Sequence, residues 1–318
     1  MRLILTPLGV LAGIGAALAF VVRFLPMTHH VLVVAAVAAP YLMFGAPLAA
    51  LLLLGARRWL LAVFAVGVTA AAVAVQLPLY IGAGPPPPGA ATVRVLTANL
   101  GLGEADSVAL TALAEQSADV LLVQEMTPEA ATGLSAAGLD RTFPHRVLDP
   151  RDVASGIGIW SRYPISESAP IEGFSMPLLR ARVQVPGVPV HPTVVAIHLG
   201  APWPQPIDGW RDDLARLPGL LRSVAGDSGA VIVAGDFNAT MTMVPFRQLL
   251  TDGYHDASEQ AGAGLARTYP NKPPWPAVIG IDHVLLRRGT ATSVRTTDLP
   301  GSDHRGLLAT VQLPATQS

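Results

Sequence analysis

The chain has 318 residues, 51% of them hydrophobic, with a mean hydropathy of +0.46 and a formal net charge of −1. So large an apolar excess argues against a wholly soluble protein. Residues 92–318 carry 17 basic and 22 acidic side chains, a net of −5, and Lys272 is the one lysine, so the clustered basic footprint of a nucleic-acid binder is missing.

The apolar excess sits at one end. No acidic residue precedes Glu104, and the basic residues before Arg94 are Arg2, Arg23, Arg57 and Arg58. Residues 3–22, 31–54 and 59–81 form three apolar runs, each about the 20 residues that a helix needs to cross a hydrocarbon core. Residues 1–81 are therefore predicted to be a three-helix transmembrane region. The first run contains Ala17-Leu-Ala19, which resembles a signal-peptide cleavage site, but its apolar character continues past Ala19. Arg57 and Arg58 share one loop while Arg23 stands alone in the other, which predicts a cytoplasmic double-arginine loop and an extracytoplasmic remainder. The absence of cysteine suits either compartment. Residues 82–91 form a Pro/Gly-rich linker whose four successive prolines favour polyproline II, a stiff tether of roughly 25 to 30 Å.

From residue 92 the pattern changes to short apolar runs between polar loops. Strands are predicted at 93–99, 120–123, 156–160, 165–172, 181–185, 193–197, 230–234, 281–286 and 307–313, and helices at 104–116, 209–224 and 244–250. This order suits one domain, residues 92–318, built as a two-sheet sandwich flanked by helices.

The chemistry-bearing residues fall at the strand ends. The apolar run 231–234 stops at Gly235 and delivers Asp236 and Asn238, with Phe237 between them turned away. A carboxylate beside a carboxamide suits a phosphate, a metal-bound water, or both. Asn99 closes the first strand, Gln124 and Glu125 the second, and His198 another; Asp282 opens a strand and Asp303-His304 precedes the last. Carboxylates with an amide oxygen suit a hard cation such as Mg2+ or Mn2+. With Asp282 as its carboxylate, His304 can serve as an oriented imidazole. No carboxylate partner for His198 is evident, and Arg180 or Arg182 could touch phosphate.

Taken together, Thr97-Ala-Asn-Leu100, Val123-Gln-Glu125, Ser155-Gly-Ile-Gly-Ile-Trp-Ser-Arg162, Ile197-His-Leu-Gly-Ala-Pro202, Gly235-Asp-Phe-Asn238, Ile281-Asp-His283 and Gly301-Ser-Asp-His304 resemble the endonuclease/exonuclease/phosphatase superfamily of metal-dependent phosphoesterases. The resemblance implies a four-layered α/β sandwich with its site at one end of two packed sheets. It makes Glu125 the principal metal ligand, helped by Asn99 and Asp303. Asp236 and Asn238 would orient the attacking water and the phosphate. His304, oriented by Asp282, would act as base or stabilise the phosphorane, and His198 would sit near the leaving oxygen. The acid that follows the first-strand asparagine in the DNA-repair branch is here Gly101.

The layout also resembles a membrane-anchored actinobacterial branch of that family associated with teicoplanin resistance, the VanJ type. That implies an extracytoplasmic phosphatase in the cell membrane, acting on a lipid-linked phosphate or pyrophosphate of cell-wall synthesis. Its partners would be a phosphorylated lipid and the lipid bilayer, with nucleic acid disfavoured. A tethered nuclease and a phospholipase-C-like or sphingomyelinase-like phosphodiesterase are the alternatives. Trp275 near the site, and Trp203 and Trp210 flanking the His198 loop, suit a membrane interface, with ordinary core or rim packing as the alternative.

Overall fold

The computed structural model describes residues 2–84, 89–226 and 229–315. The four linker prolines, and with them the polyproline II expectation, lie outside the described residues. In chain order the elements are α1 (Arg2–Val22), α2 (His30–Leu42), α3 (Gly45–Gly55), α4 (Trp59–Gln76) with a 3-10 turn (Leu77–Tyr80), β1 (Ala91–Asn99), α5 (Ser107–Ser117), β2 (Val120–Gln124), α6 (Pro128–Ala136), α7 (Leu139–Thr142), β3 (His145–Asp149) and β4 (Ile157–Ser161). Then come β5 (Ile165–Ile171), β6 (Leu178–Val183), β7 (Thr193–His198), α8 (Ile207–Val224), β8 (Val231–Asp236), α9 (Val244–Arg247), β9 (Tyr254–Asp256), α10 (Ala257–Gln260), β10 (Asp282–Arg287), β11 (Thr290–Thr297) and β12 (Gly306–Leu313).

Two mixed sheets form an α/β sandwich. The first runs β11-β12-β1-β2-β4-β3 and the second β5-β6-β7-β8-β10-β9. Their inner faces, including Val95, Leu122, Val194, Ile232 and Val284, share one buried core. The outer face of the first sheet packs on α5, α6 and α7 through Leu110, Leu134 and Leu139, and that of the second on α8 and α9 through Trp210, Leu214 and Phe246. Burial of these apolar side chains, at about 25 cal/mol per Å2, is the main source of cohesion. Three strands escaped the sequence reading. β3 and β11 are largely half-buried or exposed, with no run of consecutive buried residues, and β9 is only three residues long.

The amino-terminal region keeps the three apolar runs but bends one of them. α1 and the α4–3-10 segment are each long and apolar enough to cross a membrane, but the run 31–54 is a bent pair, α2 and α3, meeting at 57°. Pro47 explains the break. It lacks the amide hydrogen that would continue a helix from Met43, and it is tolerated in the first turn of a new one. α2 does not stand apart from the sandwich. With Met27, its Val33 and Ala36 enter the cluster that holds Trp210 of α8 and Ile197 of β7.

Between β7 and β8 the backbones meet at Gly235, which has φ +150° and faces Ile197 across the parallel pair. A β-carbon at 235 would overlap the Ile197 carbonyl. Gly235→Ala is therefore expected to lower the melting temperature by roughly 5 to 10 °C, the cost of overpacking in a domain of this size. An unchanged melting temperature would show that the strands have slack at this point.

Candidate active site

Strand direction gathers the polar residues. In the second sheet β7 and β8 are parallel, with His198 opposite Asp236, while antiparallel β10 places Asp282 opposite Asp236 from the other side. His198, Asp236 and Asp282 thus occupy one rung. In the first sheet β1 and β2 are parallel and Asn99 pairs with Gln124, which leaves Glu125 just beyond the edge. Glu125 has φ +55°, a left-handed turn that swings its side chain back toward Asn99.

The two sets meet. Asn99 Nδ2 donates to Glu125 Oε1 and to Asp236 Oδ2, both at 3.1 Å. Glu125 Oε2 accepts the Leu102 amide at 2.6 Å. His198 Nε2 lies 3.6 Å from Glu125 Oε1, so the carboxylate partner that the sequence did not reveal comes from the other sheet. Burial pulls the His198 ring below the usual histidine range, against the attraction of Glu125. On the other side His304 Nδ1 donates to Asp282 Oδ2 at 2.8 Å, and its Nε2 stands 3.7 Å from Asp236 Oδ2. Burial opposes a charge on His304, but the Asp282 and Asp236 carboxylates outweigh it and raise its pKa to about 10. Burial first, and Asp282 second, lift Asp236 to about 7.

Asn238 takes φ +50°, donates its backbone amide to Asp236 Oδ1 at 2.8 Å and its side-chain amide to the Leu199 carbonyl at 2.8 Å. Phe237 turns into the core against Phe246, as alternation predicts. Asp303 stands apart from this network: its Oδ2 faces Lys272 Nζ at 3.8 Å. A β-carbon at Gly101 would come within 2.9 Å of Asp303 Oδ1, so Asp303 fills the space that a side chain at 101 would need. Arg182 pairs with Thr193 at the start of β7, the opposite end of that strand from His198, and Trp210 is buried with its indole N–H on the Phe237 carbonyl. Trp210 thus takes the core packing that was the alternative to an interfacial place, and Arg182 sits away from the catalytic edge.

Several residues of the site carried no role in the sequence reading. Ser302 donates its hydroxyl to the Asn99 carbonyl at 2.7 Å and accepts the His304 amide at 2.9 Å, fixing the turn that presents the imidazole. The Asn271 amide N–H donates to the Asp303 carbonyl at 2.6 Å, while its side chain faces the Ser302 and His304 carbonyls. Tyr269 places its ring 5.0 Å from the His304 ring. His283 is buried with Nδ1 on Asp256 at 2.8 Å and Nε2 on the Ala239 carbonyl at 2.9 Å. Both partners are acceptors, so both nitrogens carry hydrogen and a buried imidazolium braces the chain just after Asn238. A serine two residues before a histidine was the one local signal available; the other contacts are long-range.

The sequence model of the Endonuclease/Exonuclease/phosphatase family matches residues 96–304, about two thirds of the chain. The chain belongs to that family. It is accordingly a metal-dependent phosphoester hydrolase. Solved structures share the fold. Danio rerio TDP2 complexed with a single-strand DNA product is 21% identical, covering 69% of this chain and 98% of that one with a TM-score of 0.57. The endonuclease/exonuclease/phosphatase from Bacteroides vulgatus is 16% identical over 70% and 99%, with a TM-score of 0.57. The Neisseria 3' phosphatase NExo, bound to a product DNA hairpin, is 17% identical over 68% and 98%, with a TM-score of 0.53. No curated relative matches the sequence closely enough to add a function to the family assignment.

The residues fit a divalent cation. The Asp236 and Asp282 carboxylates and the His304 ring crowd within 4.8 Å of one another, and Asp282 Oδ1 is buried without a partner. Glu125 adds a further carboxylate, and so much buried negative charge calls for a cation. A cation held at Glu125, which Asn99 links to Asp236, opposes by its charge the proton that burial favours on Asp236. Affinity for Mg2+ is expected to rise with pH up to about 7, with proton uptake by buffer that calorimetry in two buffers can count. Binding without proton release between pH 5.5 and 7 would contradict the environment described for Asp236.

Proposed function

We propose that the protein is a membrane-anchored phosphatase, its catalytic domain outside the cytoplasm, that hydrolyses a lipid-linked phosphate or pyrophosphate of cell-wall synthesis. The observation that carries this reading is the segment 268–281. At one end its Tyr269 lies against His304; at the other, the Val278 carbonyl accepts the hydroxyl of Tyr41, which belongs to α2. A wall of the site is thus bonded to the apolar amino-terminal region. Trp275 at the tip of this segment is 73% exposed, and Trp203, stacked edge-on against His30 at the start of α2, is 61% exposed. Exposed tryptophans beside apolar helices suit the headgroup level of a bilayer. The net charge of −5 on residues 92–318 and the single lysine speak against a polynucleotide substrate.

In this reading Glu125 and Asn99 would hold Mg2+ or Mn2+, while Asp303 faces Lys272, and the metal would supply neutralisation of phosphate charge. Asp236, with a pKa near neutrality, accepts the proton of the attacking water, while Asn238 donates toward the phosphate. His304 is held as an imidazolium by Asp282 and donates Nε2–H to the charge that grows on the phosphoryl oxygens. Neutral His198, next to Glu125, serves the leaving oxygen from the opposite side.

Full-length protein in detergent, given polyprenyl pyrophosphate and Mg2+, is expected to release inorganic phosphate, with plasmid DNA intact in a parallel reaction. Asp236→Ala, His304→Ala and Glu125→Ala should each lower turnover about a hundredfold or more. Nicked plasmid without phosphate release would replace this reading with a surface nuclease, and a released phosphorylated headgroup with a phospholipase-C-like enzyme. For topology, a phosphatase reporter fused after Ser318 should be active and a cytoplasm-dependent fluorescent fusion dark. The reverse result would put Arg57 and Arg58 outside.

A further inference from the structure

Where α1 and α4 leave the apolar region, a cleft of about 430 Å3 opens between them and the sandwich. None of the active-site residues lines it. Two arginines do: Arg23, just past α1, and Arg247, the last residue of α9. Arg23 donates to the Met241 carbonyl at 3.4 Å, and Arg247 donates to the carbonyls of Met241 at 3.3 Å, of Thr242, and of Arg23 at 2.6 Å. These partners are neutral. Among the described residues neither guanidinium has a carboxylate at ion-pair distance. The remaining titratable groups on the wall are Glu259 and His255, so the cleft keeps a net positive charge. Burial first, and the Arg23 charge second, push Arg247 down to about 10. Glu259 attracts Arg23 across the cleft, but it balances one of the two half-buried charges, and the remaining positive charge is costly unless a further anion joins it.

The other wall is apolar and comes from Val75 at the end of α4 and Leu79 in the 3-10 turn after it. Phe24 and Leu25, next to Arg23, are exposed. A charged floor against an apolar wall, at the depth where two membrane-length helices end, matches a molecule with a phosphate head and hydrocarbon tails.

We propose that this cleft binds the phosphate of an anionic phospholipid, at a site separate from the catalytic carboxylates. The proposal rests on the membrane placement given under the proposed function, and it is independent of the substrate. The guanidiniums grip the phosphate while the acyl chains lie along α1 and α4. Because the same arginines hold the Met241 and Thr242 carbonyls, a bound lipid braces the chain that leaves Asn238.

The test uses full-length protein extracted from membranes and stripped of lipid, with binding read by native mass spectrometry. Phosphatidylglycerol is expected to bind about tenfold or more tighter than phosphatidylcholine, a preference that two arginines near a headgroup can supply. Arg247→Gln should abolish that preference, and inorganic phosphate at the same concentration should not displace the lipid. Equal binding of the two lipids by the unaltered protein would overturn the proposal. Displacement by inorganic phosphate would assign the site to a free anion instead. Should Arg247→Gln fail to melt cooperatively, His255→Glu, which adds a carboxylate at the mouth, should weaken phosphatidylglycerol selectively; unchanged affinity there would remove the lipid from this cleft. Recovery of the protein in the soluble fraction without detergent would overturn the membrane reading and the lipid with it, whereas a failed phosphatase assay would leave this site untouched.

Discussion

One side-chain amide ties the two sheets together where the chemistry sits. Asn99 ends β1 in the first sheet, and its Nδ2 reaches both Glu125 and Asp236, the latter in the second sheet. Hydrogen bonds to charged acceptors contribute about 1.5 to 3 kcal/mol each. Without them two carboxylates would confront each other across the sandwich. The contact requires that both sheets present the same edge, and the topology meets that requirement. β1 with β2 and β7 with β8 are parallel pairs, so Asn99 and Gln124, and likewise His198 and Asp236, finish side by side. The antiparallel strands β10 and β12 begin at that edge, which is why Asp282 opens one and Asp303-His304 precedes the other.

That logic explains what could be read from the sequence. A strand end is a local event: an apolar run stops, and the next polar residue stands at the rim. Asn99, Glu125, His198, Asp236, Asp282 and His304 were each legible in this way, and so was the turn of Phe237 into the core. Pairings between sheets were not. His198 and Glu125 are separated by a long stretch of chain and belong to different sheets, and no spacing records their contact. The same holds for Asn271, whose side chain reaches the turn before β12 from a distant loop. Hydropathy also concealed the break between α2 and α3. It sums apolar character along residues 31–54, but Pro47 acts through one missing hydrogen bond that such a sum does not register.

The broken helix has a structural consequence. A straight span would touch the sandwich only at its end. α2 leans on it along its length, from His30, whose ring meets the Gln205 carbonyl at 3.1 Å, to Tyr41, which bonds the Val278 carbonyl and lies under the Arg267 guanidinium at 5.5 Å. The 3-10 turn after α4 and the chain that follows it add a second attachment, with the Leu79 carbonyl accepting the Gly264 amide at 2.7 Å and the Ala83 amide donating to the Gln260 carbonyl at 2.7 Å. The sandwich is therefore fixed to the apolar region on two sides, and the loop bearing Tyr269 and Trp275 is held between α2 and the site.

Such fixation bears on how an acidic protein could find an anionic substrate. A soluble phosphoesterase facing a polyanion draws it in with basic residues, and its affinity falls steeply with salt. Residues 92–318 carry the opposite sign, and several of their acids are concentrated at the site itself. Encounter by long-range attraction is unavailable to such a domain. If substrate and enzyme share one bilayer, attraction is unnecessary, because confinement raises the local concentration by geometry alone. The metal then neutralises the phosphate only at contact, and headgroup affinity is left to short-range groups: the His304 imidazolium, the Asn238 amide and the tryptophans at the rim. On this account the negative charge and the bent helix are parts of one arrangement, in which position replaces electrostatic steering.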